Sequence, residues 1–348
     1  MKRGVSVIIP TFNSARTLEK TLISVKKQNI DQKNIEILVI DGGSSDKTIK
    51  IAKKFRAVVL RNTRTQQEYA KYIGMLFSRK KYVLFLDSDE QLSSKNSIAN
   101  RIDTLQATRT HIVFSSGYKP KTKSLINEYV ATFGDPFAYF MYNTSPNYMH
   151  YVNDCKKNYK NYIETKKYIS FQIEKGTFLP VVDLCAGVMI DMEYINDKFD
   201  LKSDVLYVPQ LPSLIMRENK RFVVVKHDYI IHDSAESYSH FTNKLMWRSI
   251  VNIHYKNIPG TGYSNRENYQ PTWFNTKKFL FIPYAFSGLG PLSTTLSVLI
   301  LRKNLSALLH MPLTVFVAFS IIKNLFFSLV GHKPKLHIYG KVGNLIKL

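Results

Sequence analysis

Cysteine is nearly missing from this sequence: Cys155 and Cys185 are the only two in 348 residues. Two such cysteines build no disulfide framework, and no CxxC or Cys/His spacing offers zinc a site. A reducing, cytosolic setting is the simplest expectation. Carboxylates are scarce as well, 26 against 49 Lys and Arg, for a formal net charge of +23. The last of them is Glu267, so everything beyond it carries basic charge only. No internal repeat is present. No secretory leader is expected either, because the apolar run Val5–Ile9 stops at Pro10, too short for an h-region. With 45% hydrophobic, 13% aromatic and 22% charged residues, disordered and collagen-like chains are excluded. The length suits one large α/β domain, or a domain with an appendage.

The basic excess calls for an anionic partner: nucleic acid, a membrane surface or a phosphorylated substrate. No nucleic-acid module is recognisable, and no nucleic-acid partner is expected. The carboxylate-free end is also the most apolar part of the chain. Phe279–Leu301 has no charged residue, and Asn304–Ile322 is interrupted only by His310. Apolar runs flanked by Lys and Arg favour an anionic membrane surface. Length alone permits two spanning helices. Pro283, Gly288, Gly290, Pro291, Pro312 and the tight Arg302-Lys303 connection instead favour interfacial or re-entrant helices. A spanning hairpin and a buried soluble subdomain are the other readings.

The first 115 residues alternate strand and helix. Val5–Pro10, Ile35–Ile40, Ala57–Leu60 and Tyr82–Leu86 are short β-branched or apolar runs, as strands buried on both faces should be. Helices are expected over Ala15–Gln28, with Asn13 or Ser14 as N-cap, and over Asp46–Phe55 and Gln66–Ser78. Such alternation implies right-handed crossovers and a mostly parallel sheet. Ligands of such sheets bind beyond the carboxyl ends of the strands, where Thr11, Asn13, Asp41, Asp87 and Asp89 cluster. From 118 to about 180, loops and short helices covering the site are expected. Val181–Ile190 returns to the sheet, Arg221–Ile231 is a late strand, and Tyr238–Tyr255 is a helix. The expected division is a domain over 1–256, with a nucleotide-binding half to 115 and an acceptor half from 116. A linker over 257–278, apolar membrane-associated helices over 279–331 and a basic tail over 332–348 follow.

Two carboxylates one residue apart at a strand end project from the same edge. Asp87 and Asp89 can approach one divalent cation, Mg²⁺ or Mn²⁺, bridging a diphosphate. A second strand ends in Asp41-Gly42-Gly43-Ser44-Ser45-Asp46, whose glycines allow close backbone approach.

Three segments together resemble glycosyltransferase family 2. They are Val-Ser-Val-Ile-Ile-Pro-Thr-Phe-Asn (5–13), Val-Ile-Asp-Gly-Gly-Ser-Ser-Asp-Lys-Thr (39–48) and Phe-Leu-Asp-Ser-Asp (85–89). The likeness is strong over about 1–115 and looser from about 180 to 255. It implies a GT-A fold, a nucleotide-sugar donor (UDP- or GDP-linked), a divalent cation, and inversion at the anomeric carbon. By the same resemblance, Pro10, Thr11 and Asn13 would line the nucleoside pocket. Asp41, with Gly43 beside it, would hydrogen-bond the base, and Asp87 would lie near ribose or sugar. Asp89 would be the principal metal ligand, and His232 would touch the metal or diphosphate. Arg64 and Lys71 are the available basic residues before the Asp87-Ser88-Asp89 strand. The family's base position falls at Asp204, after Lys198-Phe199-Asp200 and Ser203, with Asp183 and Asp191 as fallbacks.

Lys244 and Arg248, four apart on one helix face, are candidates for an acceptor phosphate or a bilayer surface. The QxxRW pattern of processive synthases is absent, since Trp247-Arg248 runs in the opposite order, so transfer of a single sugar is expected. The acceptor class implied is a glycan or lipid-linked hydroxyl, at the cytoplasmic face of a membrane, in cell-envelope polysaccharide synthesis. The alternative is a non-catalytic nucleotide-sugar-binding or membrane-scaffolding protein. Nucleotidyl transfer is disfavoured, because Pro-Thr-Phe-Asn replaces a Gly-rich basic phosphate loop after the first strand.

Overall fold

The computed structural model describes residues 1–64, 66–180, 187–201, 210–233, 237–255 and 267–335. Strands β1 to β4 are Lys2–Thr11, Ile35–Asp41, Val58–Arg61 and Lys80–Phe85. Strands β5 to β8 are Gln91–Leu92, Ile112–Val113, Tyr118–Lys119 and Tyr162–Glu164. Strands β9 to β12 are Tyr168–Gln172, Met189–Asp191, Arg221–Val225 and Ile230–Ile231. The chain divides into two compact units. One holds Met1–Lys119 and Cys155–His232, the other Pro120–Asp154 and the described residues from Asp233 on.

The first unit is built on a six-stranded sheet of order β3-β2-β1-β4-β10-β6. Strands β3, β2, β1 and β4 are parallel, and β10 runs against β4 and β6. The hydrophobic runs are continuous because both faces are covered. Val5, Val7 and Ile9 of β1 share a core with Leu18, Leu22 and Val25 of the helix α1 (Leu18–Lys26). Ile8 points the other way, toward α3 (Gln67–Phe77), which follows α2 (Thr48–Lys54). Gly74 of α3 lies so close that a Cβ there would sit 2.4 Å from Ile8 Cγ2. The chain moves outward from β1 to β3 and then crosses back to β4 on the other side of β1. That reversal opens the crevice in which ligands of open α/β sheets bind. Register places Thr11 opposite Asp41, and Ile8 opposite Phe85.

Several local expectations change. The first helix begins at Leu18, and neither Asn13 nor Ser14 caps it with a side chain. Asn13 adopts φ 48°, and the N–H groups of Ser14 and Ala15 bond to Thr48 Oγ1 and Asp46 Oδ2. That stretch therefore belongs to the loop. Arg221–Ile231 is two strands, because His227 at φ 57° turns the chain. β11 pairs with β9 of a small antiparallel sheet, and β12 lies between β5 and β7. Between 118 and 180, β8 and β9 stand where only loops and short helices were expected. Part of the expected linker is helical (Thr272–Lys277), anchored by the buried Phe274.

The second unit is helical among its described residues. Tyr238–His254 forms the expected helix and packs on His310–Leu329. Tyr129, Phe133, Phe241, Leu245, Leu313 and Val317 share its core. The pair of clean spans is not formed: the first apolar run breaks into Phe281–Phe286 and Leu289–Leu301. The chain bends by 87° at that break, where Gly288 takes φ 68°. Leu305–Leu329 is long and apolar enough to cross a membrane by length and composition.

Candidate active site

The site grows from the ends of β1, β2 and β4. Thr11 Oγ1 donates to Asp41 Oδ1 at 2.9 Å across the β1–β2 register. The Gly43 and Ser44 N–H groups donate to Asp41 Oδ2 at 2.9 and 2.8 Å, and Ser44 Oγ donates to Oδ1 at 2.5 Å. Four donors occupy the lone-pair positions of one carboxylate. Asp41 thus holds the loop that follows it. Gly43 takes φ 92°, open to glycine without the steric cost other residues carry there. Asn13 joins the loop from the other side: its Oδ1 accepts from Ser45 N, and its own N–H donates to Ser44 Oγ. Pro10 lies one residue before Thr11, opposite Ile40.

On the other side of β1, β4 runs out into the turn Asp87-Ser88-Asp89-Glu90. Thr21 Oγ1 of α1 donates to the Ser88 carbonyl, and Ser88 Oγ bonds Ser14 Oγ. The turn is therefore held by the same loop that leads into α1. Gln67 Nε2, at the start of α3, donates to Asp87 Oδ1. Lys71 is buried one helical turn further on, on the same face of α3 as Gln67. Arg64 is exposed in the turn before α3, its guanidinium 4.5 Å from the centre of the Tyr69 ring.

His232 reaches the turn from far along the chain. β12 pairs antiparallel with β5, setting Ile231 opposite Gln91, and the His232 N–H donates to the Lys119 carbonyl. His232 Nδ1 then lies 3.6 Å from Asp89 Oδ1. That nitrogen is buried and makes no hydrogen bond. An orphaned ring nitrogen facing a carboxylate that is 40% exposed suits two ligands of one divalent cation. Mg²⁺ characteristically takes one or two carboxylates and completes its shell with water and substrate phosphates. Among the described residues no three His, Cys, Asp or Glu groups converge, so diphosphate and water oxygens would fill the rest. The residues present fit such an ion.

Glu90 was not anticipated. Its carboxylate is 1% exposed and accepts the Asp87 N–H at 3.0 Å. Burial, with the charge of Asp87 beside it, pushes the Glu90 carboxyl up to about 7. His232 and the Asp87 N–H pull the other way. The available signal was a third acidic residue directly after Asp87-Ser88-Asp89, before the strand residue Leu92. Gln67 was signalled by its spacing of four from Lys71.

Asp204 and Asp183 lie outside the described residues. Asp191 does not reach the site. Because β10 is antiparallel, Asp191 pairs with Tyr82, at the opposite end of β4 from Asp87. There its side chain accepts from Glu193 N and starts the helix Met192–Lys198. Arg248, in the second unit, is ion-paired with Asp135 at 2.6 Å.

Residues 6–175 match the family model described as Glycosyl transferase family 2. The poly(ribitol-phosphate) β-N-acetylglucosaminyltransferase TarP of Staphylococcus aureus is 34% identical over 99 residues, 27% of this chain and 30% of that protein. An uncharacterised glycosyltransferase of Mycoplasma genitalium, MG060, is 36% identical over 102 residues, 26% of this chain and 34% of its own length. The matched part spans about a third or less of these curated relatives. Among solved structures, the mannosyltransferase PcManGT of Pyrobaculum calidifontis, with GDP-Man and Mn²⁺, aligns at 13% identity. That alignment covers 94% of this chain and 88% of that one, with a TM-score of 0.49. Residues 1–349 of S. aureus TarS, with UDP-GlcNAc, align at 15% identity over 100% and 97% of the two chains, TM-score 0.45. The matched segment, just under half of the chain, contains the parallel strands β1 to β4 and the loops that carry Thr11, Asp41, Asp87 and Asp89.

Proposed function

We propose that this protein is an inverting glycosyltransferase. It moves one sugar from a UDP- or GDP-linked donor to a hydroxyl of a glycan or lipid-linked acceptor. The setting is the cytoplasmic face of a membrane, in cell-envelope polysaccharide synthesis. The observation that carries the reading is a convergence at the carboxyl ends of β1, β2 and β4. Thr11 and Asp41 are bonded there on one side of β1, and on the other the turn Asp87-Ser88-Asp89 sets Asp89 against His232. The likeness to TarP, named for N-acetylglucosaminyl transfer to poly(ribitol phosphate), supports a sugar donor and a polymeric acceptor. The carboxylate-free apolar sequence beyond Glu267 supports the membrane setting.

In this reading Pro10, Thr11 and Asn13 line the nucleoside pocket. Asp41 accepts a base N–H in exchange for the Ser44 hydroxyl, a donor on a side chain that can rotate away. Lys71 and Arg64 supply positive charge for the diphosphate, Asp87 contacts ribose or sugar, and Asp89 and His232 hold a divalent cation. That cation, when bound, neutralises charge on the departing diphosphate. The acceptor oxygen attacks the anomeric carbon from the side opposite the diphosphate. The new C–O bond forms as the bond to the diphosphate oxygen breaks, and the nucleoside diphosphate leaves with the electron pair. The hydroxyl proton passes to a carboxylate, for which Asp204 is proposed.

The test is calorimetric titration with UDP, GDP and their sugars, with and without Mn²⁺. Metal-dependent binding to the native chain, lost in Asp89→Ala, is expected. Folded protein that binds no nucleotide overturns the reading. On an acceptor that turns over, Asp204→Ala should lower kcat by roughly 10²–10⁴-fold, the usual contribution of a general base.

A further inference from the structure

In the second unit the helix His310–Leu329 has its polarity reversed. Its buried side carries His310, Thr314, Ser320 and Asn324 beside Leu313 and Val317. His310 is completely buried, with Nδ1 3.2 Å from the Tyr129 hydroxyl and Nε2 3.4 Å from that of Tyr284. The side left uncovered holds Phe319, Ile322, Leu325, Phe326 and Leu329, the last 86% exposed. Leu289–Leu301 repeats the pattern: Thr295 is buried, while Leu292, Leu296, Ile300 and Leu301 are exposed. The Phe286 and Phe319 rings, both exposed, meet edge to face at 5.0 Å and join the surfaces of neighbouring helices. A helix on a water-facing surface turns its apolar stripe inward and its polar residues out. Single exposed leucines are ordinary, but a contiguous apolar patch of this extent marks an interaction surface.

Charge selects the occupant. The sequence beyond Glu267 has nine Lys and Arg and no carboxylate. Lys303 and Lys323 are exposed among Leu301, Leu305, Ile322 and Leu325. Two copies meeting on this face would bring like charges together without a carboxylate from the same segment to offset them. An anionic lipid headgroup layer over an acyl interior matches both the cations and the apolar side chains, since lysine buries its stem and lifts its ammonium to phosphate. The connection between the two helices is tied to protein. Arg302 Nη2 donates to both oxygens of Asp154 at 3.0 and 2.8 Å, and Asn304 Nδ2 donates to Thr132 Oγ1 at 2.7 Å. A hairpin tip delivered to far-side water would not carry those contacts.

We propose that this face seats the protein in a single leaflet of an anionic bilayer, its helices lying in the interface rather than crossing it. Seating of this kind deepens the membrane setting proposed above and rests on it, but does not depend on the catalytic assignments.

The test is flotation of the full chain with phosphatidylcholine vesicles, with and without phosphatidylglycerol. Native protein should float with the anionic vesicles and much less with the neutral ones. Leu296→Lys combined with Phe319→Lys, both at exposed positions, should lower the bound fraction about tenfold or more and leave UDP titration unchanged. If the native chain floats with neither vesicle, the membrane setting itself fails. If native and double variant float equally, the setting stands and this face is not the seat. A Lys303→Cys variant labelled by an impermeant maleimide trapped inside the vesicles would show a crossing and overturn the single-leaflet arrangement. A dimer that the double variant dissolves without vesicles would make a second copy the occupant instead.

Discussion

The Glu90 carboxylate accepts the Asp87 main-chain N–H at 3.0 Å, and the Glu90 N–H donates back to the Asp87 carbonyl at 3.1 Å. This closes the turn that presents Asp89 toward His232. Glu90→Ala leaves the part-buried Asp87 N–H without its acceptor, at a cost of about 1 kcal/mol, and loosens the turn. Calorimetry should show Mn²⁺-dependent nucleotide binding weakened about tenfold or more in Glu90→Ala, and largely kept in Glu90→Gln, whose amide oxygen can accept the same bond. Equal binding by Glu90→Ala and the native chain would mean that the clasp does not position the site.

Asp41 organises a loop with the four bonds that fill its lone pairs. In Asp41→Asn the amide oxygen can still serve the Gly43 and Ser44 N–H groups, but the amide nitrogen then meets two hydroxyls. The variant should fold, with stability lower by about 1–2 kcal/mol by denaturant titration. Its nucleotide affinity should fall further, because the anionic acceptor proposed for the base is gone. If affinity is unchanged, Asp41 serves the loop alone.

Acid stability should carry the mark of Glu36. Burial alone would raise its carboxyl, but hydrogen bonds from Ser6 Oγ and from Arg79 N and Nε outweigh that and hold it below its ordinary value of 4.5. A carboxyl depressed in the folded state contributes stability above its unfolded pKa, and that stability is lost as pH falls through the folded one. Thermal midpoints of the native chain should drop more steeply below about pH 4.5 than those of Glu36→Gln. Parallel curves for the two proteins would refute this.

Arg101 and Asp228 form an ion pair at 2.7 Å with both side chains essentially out of water. Arg101 also donates to the Gly187 carbonyl at 2.6 Å. Asp228 lies two residues before β12, so the pair fixes the strand that delivers His232. Arg101→Met strands a buried charge and should cost about 3–5 kcal/mol. Adding Asp228→Leu should recover much of that loss. Chemical denaturation of the three variants decides it, and a double variant no more stable than the single one would count against the pairing.

The parallel part of the sheet was largely legible in the sequence. A strand covered on both faces has to be a continuous apolar run. Its end has to be the first place polar residues return, which is why Thr11, Asp41 and Asp87 could be located without coordinates. Short strands were less readable. Ile230–Ile231 looked continuous with Arg221–Val225, because apolar residues on either side of a turn such as His227-Asp228 carry no mark of which sheet they join. Asp191 looked usable for the same kind of reason: spacing gives no direction, and only the antiparallel pairing of Met189–Asp191 with β4 shows that it faces the wrong end.

Sequence alone thus determined the order of the parallel strands' elements, the acidic strand end and the cationic, carboxylate-free character of the C-terminal segment. All of these follow from local composition and period. Tertiary structure decided which distant residues meet, as His232 meets Asp89 through the β5–β12 pairing and Glu90 folds under Asp87. It also decided the polarity of the helix His310–Leu329. Helical periodicity tells which residues share a side, but only the neighbours packed against Thr314, Ser320 and Asn324 tell which side is covered and leave Phe319, Phe326 and Leu329 facing outward.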